Sequence, residues 1–290
     1  MERCGVIRTQ TCKKRDFAPE GKDPSGPPAK IERPAAMADR SELELAARWL
    51  NSARKAIALT GAGISTESGI PDFRSAGGLW DRYNPEEYAT LGAFRRDPVK
   101  VWRMLAELED VLRASPNPAH LALAQLERSG HLTGVVTQNV DGLHQAGGSR
   151  TVVEYHGSHC TLSCLACGSV YASEALRGAE RPPRCRTVSA GLVCGTILKP
   201  DVVFFDELIP PRALIETERL LEGADLILVI GTSCEVYPAA DIPRQVRRQG
   251  GRIIEINLEP AGDLGSDLLL AGKCGALLPL LRERVQALRA

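Results

Sequence analysis

Four short apolar runs, each stopping at a glycine or polar loop, constrain this chain more than any other feature. They lie at 56–60, 134–137, 226–230 and 253–256, with helical stretches such as 119–128 and 213–222 between them. Apolar runs of this length bounded by turn residues are buried strands, and strands alternating with helices build a sheet covered on both faces. The expected fold class is α/β, a doubly wound parallel sheet. Ligands of such sheets sit beyond the carboxyl ends of the strands, so residues 61–65, 138–141, 231–233 and Asn257 should meet at one crevice.

Two segments break the alternation, and both are expected to build a smaller lobe: 70–118, a loop followed by helix, and 158–200, which holds clustered cysteines. Ser41 and Glu44 read as a capping box opening a first helix whose buried face is Leu43, Ala46, Ala47 and Leu50. Residues 1–36 carry five prolines and no periodicity, and are expected to be a disordered tail ahead of a catalytic domain over 37–290. Five acidic residues there argue against a mitochondrial presequence. Met37, just before the first helical pattern, is a candidate start of translation.

Charge narrows the function. The chain has 36 basic and 36 acidic residues, of which the first 36 positions hold eight and five, leaving 28 against 31 in the body. A body of net −3 gives no electrostatic case for direct nucleic-acid binding, and no run of about 18 apolar residues marks a membrane span. The expected compartment is cytoplasmic. In a reducing compartment, clustered cysteines point to metal before disulfide. Cys164 and Cys167 form one close pair; Cys185 and Cys194 form a looser one, with eight residues between them that must bulge out. Together they match the ligand pattern of a structural zinc site, with Cys160 as a spare candidate. Four sulfur ligands leave zinc no open position, so the ion should hold the lobe together and activate no water.

The motifs at the strand ends carry chemistry. Gly61-Ala62-Gly63-Ile64-Ser65 resembles a dinucleotide turn, in which missing side chains let backbone N–H groups approach a pyrophosphate, but Thr66 replaces the third glycine. A tight structural turn is the plainer reading of that motif alone. The glycine- and proline-rich stretch that follows, with Ile70, Asp72, Phe73 and Arg74, looks like a ligand lid, and Arg74 could meet phosphate as a planar donor fork. Gln138, Asn139 and Asp141 place two amides and a carboxylate at a strand end where nothing apolar needs them. Another β-prone run, 151–154, delivers His156, whose type suits base chemistry near neutral pH.

Taken together, Gly61 to Ser65, Gly69 to Arg74, Thr137 to Asp141, His156-Gly157, the cysteine pairs, Val202 to Phe205, Gly231-Thr232-Ser233 and Asn257 resemble the sirtuin family of NAD-dependent protein lysine deacylases over about residues 45–285. The resemblance implies a Rossmann-like domain, a smaller lobe made of a zinc ribbon and a helical insertion, and a cleft where NAD meets an acylated lysine of a protein or peptide. It implies that His156 is the general base, that Asn139 and Asp141 hold the nicotinamide end and the ribose, and that Gln138 faces the ribose. Gly61, Ala62, Gly63, Ser65, Ile70, Asp72, Phe73 and Arg74 would form the cofactor loop, with Phe73 covering the nicotinamide pocket. Gly231, Thr232 and Ser233 would contact phosphate and ribose; Asn257 and Cys274 would lie at the adenosine end, although Cys274 reads equally well as a small buried residue. Val202, Phe204 and Phe205 would line the acyl-lysine tunnel, and the stretch from Val202 would pair its backbone with the substrate peptide.

Two departures bear on specificity. Asp206 stands where relatives often have glycine, and an added carboxylate favours basic residues flanking the substrate lysine. Members that remove succinyl or malonyl groups carry a Tyr and an Arg at the places of Leu105 and Leu108, so acetyl and longer apolar acyl groups are expected here over acidic ones. Protein mono-ADP-ribosyl transfer shares the cofactor cleavage and stays open on sequence, as does a non-catalytic NAD or ADP-ribose sensor; intact His156, Asn139 and Asp141 speak against the sensor. A hydride-transferring dehydrogenase is weaker still, because the phosphate-turn pattern is incomplete.

Overall fold

A computed structural model describes residues 39–73, 78–109, 114–176 and 180–289, with the side chains of 107–109 excepted. The tail, Met37 and Arg74 therefore lie outside the described residues, as does the side chain of Leu108. Six strands form one parallel sheet: β1 (Ala56–Thr60), β2 (Gly134–Thr137), β3 (Val152–Glu154), β9 (Leu226–Ile230), β10 (Arg252–Asn257) and β11 (Leu268–Ala271), in the order β11-β10-β9-β1-β2-β3. β11 was not among the strands expected from sequence. Its short Leu-rich run lies between loop residues and the last helix and carries no alternation that separates strand from helix.

Alternate residues of the central strands enter two cores. Ala56 and Ala58 of β1 and Leu226, Leu228 and Ile230 of β9 pack beneath α1 (Arg40–Ser52), α6 (Pro118–Arg128) and α10 (Cys274–Ala287). Ile57, Leu59, Ile227 and Val229 face α8 (Pro211–Leu221) and α9 (Ile242–Arg248) on the opposite side. Every residue of β1 and β9 is buried, as a strand covered on both faces requires.

The first helix corrects one expectation. Its N-cap is Asp39 and not Ser41: the Asp39 carboxylate accepts the Ser41 N–H, and Glu42 at the third helical position accepts the Asp39 N–H at 2.9 Å. Asp caps as well as Ser, and the Asp39/Glu42 spacing completes the reciprocal pair two residues earlier. Glu44 instead pairs with Arg40 at the surface.

The chain leaves the sheet twice. Three short helices, α2 (Leu79–Arg82), α3 (Pro85–Tyr88) and α4 (Leu91–Arg96), lead into α5 (Pro98–Glu109). After the turn α7 (Leu143–Ala146) and β3, a three-stranded antiparallel sheet forms from β4 (Gly157–Ser163), β5 (Val170–Ala172) and β8 (Lys199–Val202), with a hairpin of β6 (Val188–Ser189) and β7 (Leu192–Val193) between β5 and β8. Phe94, Val101 and Trp102 of the helices share one core with Leu162, Leu198, Phe204, Cys164 and Cys185, with Cys194 packed against it. Among the described residues, no helix is long and apolar enough to cross a membrane.

Strand order reverses between β1 and β9, and there the two connecting turns touch backbone to backbone. Gly61 N–H donates to Ile230 O at 3.0 Å and Gly63 N–H to Gly231 O at 2.8 Å. Gly231 has φ +58°, and a Cβ on it would lie 2.3 Å from Ile64 N. Gly231→Ala should therefore cost more than the roughly 1–2 kcal/mol that a left-handed conformation demands of a side chain. Gly265→Ala is the control, because Gly265 shares a positive φ of 61° but a methyl there would meet nothing within 4 Å. Denaturant melts should show the larger loss for Gly231; equal losses would mean the close approach contributes nothing.

Candidate active site

A cleft of about 1330 Å³ opens at this reversal and runs to the small lobe. Both glycine turns line it through Gly61, Ala62, Gly63, Gly231, Thr232 and Ser233. So do Asp72 and Phe73 from the loop after β1, Gln138 and Asn139 from the end of β2, and His156 after β3. Asn257 and Cys274 line one end, and Val202, Phe204 and Phe205 the side toward the small lobe. Ser65, Ile70 and Asp141 are not in the lining. Ser65 and Asp141 stand one layer behind it: Ser65 Oγ donates to Asp141 Oδ2 at 2.7 Å, and Asn139 Nδ2 donates to Ser65 Oγ and to Gly61 O, both at 3.1 Å. Asn139 is thus fixed by the very turn that begins the cleft.

His156 has the geometry of a base. Its Nδ1 lies 3.2 Å from the Gln138 carbonyl, which places the proton on Nδ1 and leaves Nε2 an acceptor; Nε2 is buried and has no partner. Burial pulls the imidazole down to about 4, against a weaker raising effect of the Gln138 bond, so the ring is neutral at physiological pH. Gln138 also reaches across the cleft, its Nε2 donating to Thr232 Oγ1 at 2.9 Å. Thr232 is strapped in turn by Asn257, which accepts its N–H and donates to its carbonyl, each at 3.1 Å. Asn257 Nδ2 donates to Glu255 Oε1 at 2.8 Å, and that buried carboxylate also accepts from Ala261 N and Ser266 Oγ. One chain of hydrogen bonds therefore joins the adenosine end expected from sequence to the backbone behind His156.

Several contributors were missed in the sequence. Glu255 passes as one polar residue inside an apolar strand. Trp80 bridges Phe73 and Phe205, with ring centroids 5.3 and 6.3 Å away, and so completes an aromatic row along the cleft. Thr60 and Thr137 are register partners whose hydroxyls lie 2.8 Å apart, with His144 Nε2 at 2.9 Å from Thr60 and the Asn139 N–H on Thr137. Lys199 is buried beneath the Val202 to Phe205 stretch: its Nζ pairs with Glu207 at 2.8 Å, donates to Val202 O and stands 4.4 Å from the Phe204 ring centroid. A lysine next to an apolar run was the sign available, since such a group needs a partner once buried.

The backbone of that stretch is already engaged. Val203 N–H donates to His156 O, Phe204 N–H to Glu207 Oε2 and Phe205 N–H to Ala89 O. Those donors are closed to an added strand, so a peptide pairing here must use groups further along, where Asp206 takes φ +67°. Asp tolerates that left-handed geometry better than most residues, which explains how it occupies a glycine-like place.

In the small lobe the sulfurs of Cys164, Cys167, Cys185 and Cys194 all lie within 4.8 Å of one another; the Cys164–Cys194 and Cys167–Cys185 separations are 3.7 and 3.5 Å. A sulfur tetrahedron with bonds of about 2.3 Å to zinc has edges of about 3.8 Å, so the four side chains fit the ion. The eight residues between Cys185 and Cys194 fold out as the β6–β7 hairpin, turned by Ala190 and Gly191 at φ 49° and 79°. The hydroxyls of Tyr171, Ser169 and Thr196 approach the sulfurs at 3.2, 3.3 and 3.4 Å, as outer partners of a metal site do. Cys160 stays outside the cluster and lines the cleft. Cys274 is a buried thiol that burial pushes up to about 12, so it acts there as a small neutral wall.

The sequence profile of the Sir2 family matches residues 61–238. NAD-dependent protein deacylase 2 of Pyrobaculum aerophilum is 48% identical over 239 residues, covering 82% of this chain and 93% of that protein. The crystal structure of a Sir2 homolog–NAD complex superposes with a TM-score of 0.76 at 43% identity, covering 84% of this chain and 94% of the other. Sir2Af2 bound to a myristoylated histone peptide gives 0.73 at 37% identity, covering 87% and 99%.

His120 and His144 lie fully buried behind the site, held down by burial to about 4 and about 3. The unfolded chain protonates them near 6.5 and the native chain does not, so stability is whole above that pH and falls as pH drops toward 4. The slope is about 1.4 kcal/mol per pH unit for each histidine. Thermal melts between pH 7 and 5 should show this decline, and His144→Asn should make it shallower by one histidine's share, leaving those of His120 and His156; a flat wild-type profile contradicts the assignment.

Proposed function

The chain belongs to the Sir2 family, and we propose that it is an NAD-dependent protein lysine deacylase, transferring the acyl group to ADP-ribose with release of nicotinamide. The observation that carries this reading is the neutral His156 imidazole, its acceptor Nε2 unpartnered between the glycine turns and the Val202 to Phe205 wall. NAD, as co-substrate, supplies a ribose carbon activated by its nicotinamide leaving group.

The chain's own residues do the rest. Gly61, Ala62, Gly63 and Gly231 offer backbone without side-chain obstruction for phosphates. Thr232 and Ser233 hold polar groups beside them, Asn257 and Cys274 bound the adenosine end, and Ile70, Asp72 and Phe73 belong to the loop that keeps water from the reacting carbon, with Arg74, outside the described residues, kept as the phosphate-facing candidate of the same loop. Asn139, set by Ser65 and Asp141, orients the nicotinamide end, and Gln138 the ribose. His156 Nε2 takes a ribose hydroxyl proton. Val202, Phe204 and Phe205 enclose the lysine side chain.

We assign residues 37–290 to one catalytic unit, with the insertions at 70–118 and 158–200 forming the small lobe. One structural zinc is bound by Cys164, Cys167, Cys185 and Cys194. It would hold the β4–β5 turn to the β6–β7 hairpin and supply no reacting water. Reduced, clustered thiols suit a cytoplasmic setting. Elemental analysis should find one zinc per chain, and Cys185→Ser should lose it together with thermal stability; full stability in a zinc-free protein would dismiss a structural ion.

Incubation with NAD and an acetylated peptide should release nicotinamide and remove one acetyl group from the peptide. His156→Ala should slow this by two orders of magnitude or more, on the order of general-base contributions. A peptide that instead gains mass would indicate ADP-ribosyl transfer. Leu105 lines the cleft where a distal carboxylate would need an arginine, so kcat/KM should be higher for acetyl-lysine than for succinyl-lysine.

A further inference from the structure

We propose that His144 is a positioning residue for the nicotinamide end of the cleft, acting on Asn139 through Thr60 and Thr137; this rests on the deacylase reading above. His144 does not line the cleft. It stands in α7, the turn that follows the Gln138 to Asp141 motif, with its ring buried. Its Nε2 lies 2.9 Å from Thr60 Oγ1, and Thr60 Oγ1 donates to Thr137 Oγ1 at 2.8 Å. A hydroxyl that gives its one proton onward can only accept from the ring, so Nε2 carries the proton of the neutral imidazole. Thr137 Oγ1 also accepts the Asn139 N–H at 3.1 Å, so both of its lone pairs are used. Nδ1 of His144 is buried without a hydrogen-bond partner, and the His120 ring stands edge-on with centroids 4.9 Å apart, so Thr60 is the polar contact that the ring serves.

A second arm leaves the same turn. Leu143 N–H donates to Asp141 Oδ1 at 3.0 Å, Asp141 Oδ2 accepts from Ser65 Oγ, and Ser65 Oγ accepts from Asn139 Nδ2. The other Nδ2 hydrogen goes to Gly61 O. Asn139 is thus held through its main chain from His144 and through its side chain from Leu143. The amide atom that these bonds leave uncommitted is Oδ1, an acceptor of the kind a carboxamide N–H requires.

Water cannot stand in for a lost link. Thr60 and Thr137 are 0% and 2% exposed, so removing the ring N–H or a hydroxyl leaves a neighbouring group unpaired instead of hydrated. The main chain of Asn139 then loses its fixed anchor, and cleavage of the nicotinamide bond depends on how well that end is oriented.

The test compares His144→Asn with His144→Gln. Both remove the imidazole, but a Gln amide nitrogen reaches the place of Nε2 whereas an Asn nitrogen stays near that of Nδ1. With NAD and an acetylated peptide, His144→Asn should lower kcat and weaken inhibition by added nicotinamide, each about three- to tenfold, the worth of one hydrogen bond. KM for the peptide should stay at the wild-type value, and His144→Gln should recover most of the loss. Thr60→Val cuts the chain without touching the ring and should give the same split, and adding His144→Asn to it should cost no further kcat. Each variant is assayed at a temperature where its melting curve shows it folded; where the His144 variants do not fold, Thr60→Val against Thr60→Ser makes the same comparison. Equal kcat for Gln and Asn, or for Val and Ser, overturns the positioning role alone, as does a peptide KM that rises with the loss or an additive double variant. Wild-type protein that releases no nicotinamide with any acyl peptide overturns the deacylase reading with it.

Discussion

The backbone contact between the two glycine turns is the constraint on which the rest of the molecule depends. Strand order reverses between β1 and β9, so their following loops diverge and leave a crevice. What keeps that crevice narrow is Gly63 lying against Gly231, with no side chain on either to push the loops apart. A Cβ at Gly63 would lie 2.8 Å from Gly231 Cα. Because these turns touch, Asn139 can bond Gly61 O from one side while Thr232 meets Gln138 from the other. The polar network of the site is a consequence of how close two backbones come.

Burial then sets the protonation states. Three histidines close to the site are neutral for one main reason: a charged imidazole in a dry interior has lost its water, and the opposing effects, the Asp141 charge on His120 and the Gln138 carbonyl on His156, are weaker. For His156 this is what a proton acceptor needs. For His120 and His144 it makes the site's foundation sensitive to acid, since the unfolded chain binds protons that the native chain refuses. Lys199 is the contrasting buried group, with Glu207, two carbonyls and an aromatic face around it. Such a pair is weak evidence of net stability, but it does fix the course of the strand that walls the cleft.

The small lobe has too little core to stand as a separate sheet. Its three-stranded sheet shares its apolar face with α4 and α5, and its far side is organised about four sulfurs. The two insertions, separated by more than thirty residues in the chain, thus become one wall, and it is that shared wall which puts Leu105 and Val202 in the lining of one cleft and Arg181 over Trp102.

The amino-acid sequence determined five of the six strands of the sheet, the burial of its centre on both faces, the glycine turns, and the motifs Gln138 to Asp141, His156 and Val202 to Phe205. All of these are local: a short apolar run, a missing side chain or a polar group at a strand end can be recognised without knowing its neighbours. The cysteine spacing also gave the sulfur cluster, with the eight-residue gap resolved as a hairpin. What only tertiary structure decided are the meetings between distant segments. Glu255 behind Asn257, Trp80 between two phenylalanines, the Thr60–Thr137–His144 triad and Arg181 at the cleft wall each depend on register or packing across many residues. A side chain's partner is set by where the backbone carries it, and pattern along the chain records the face a residue occupies but not what waits on the other side.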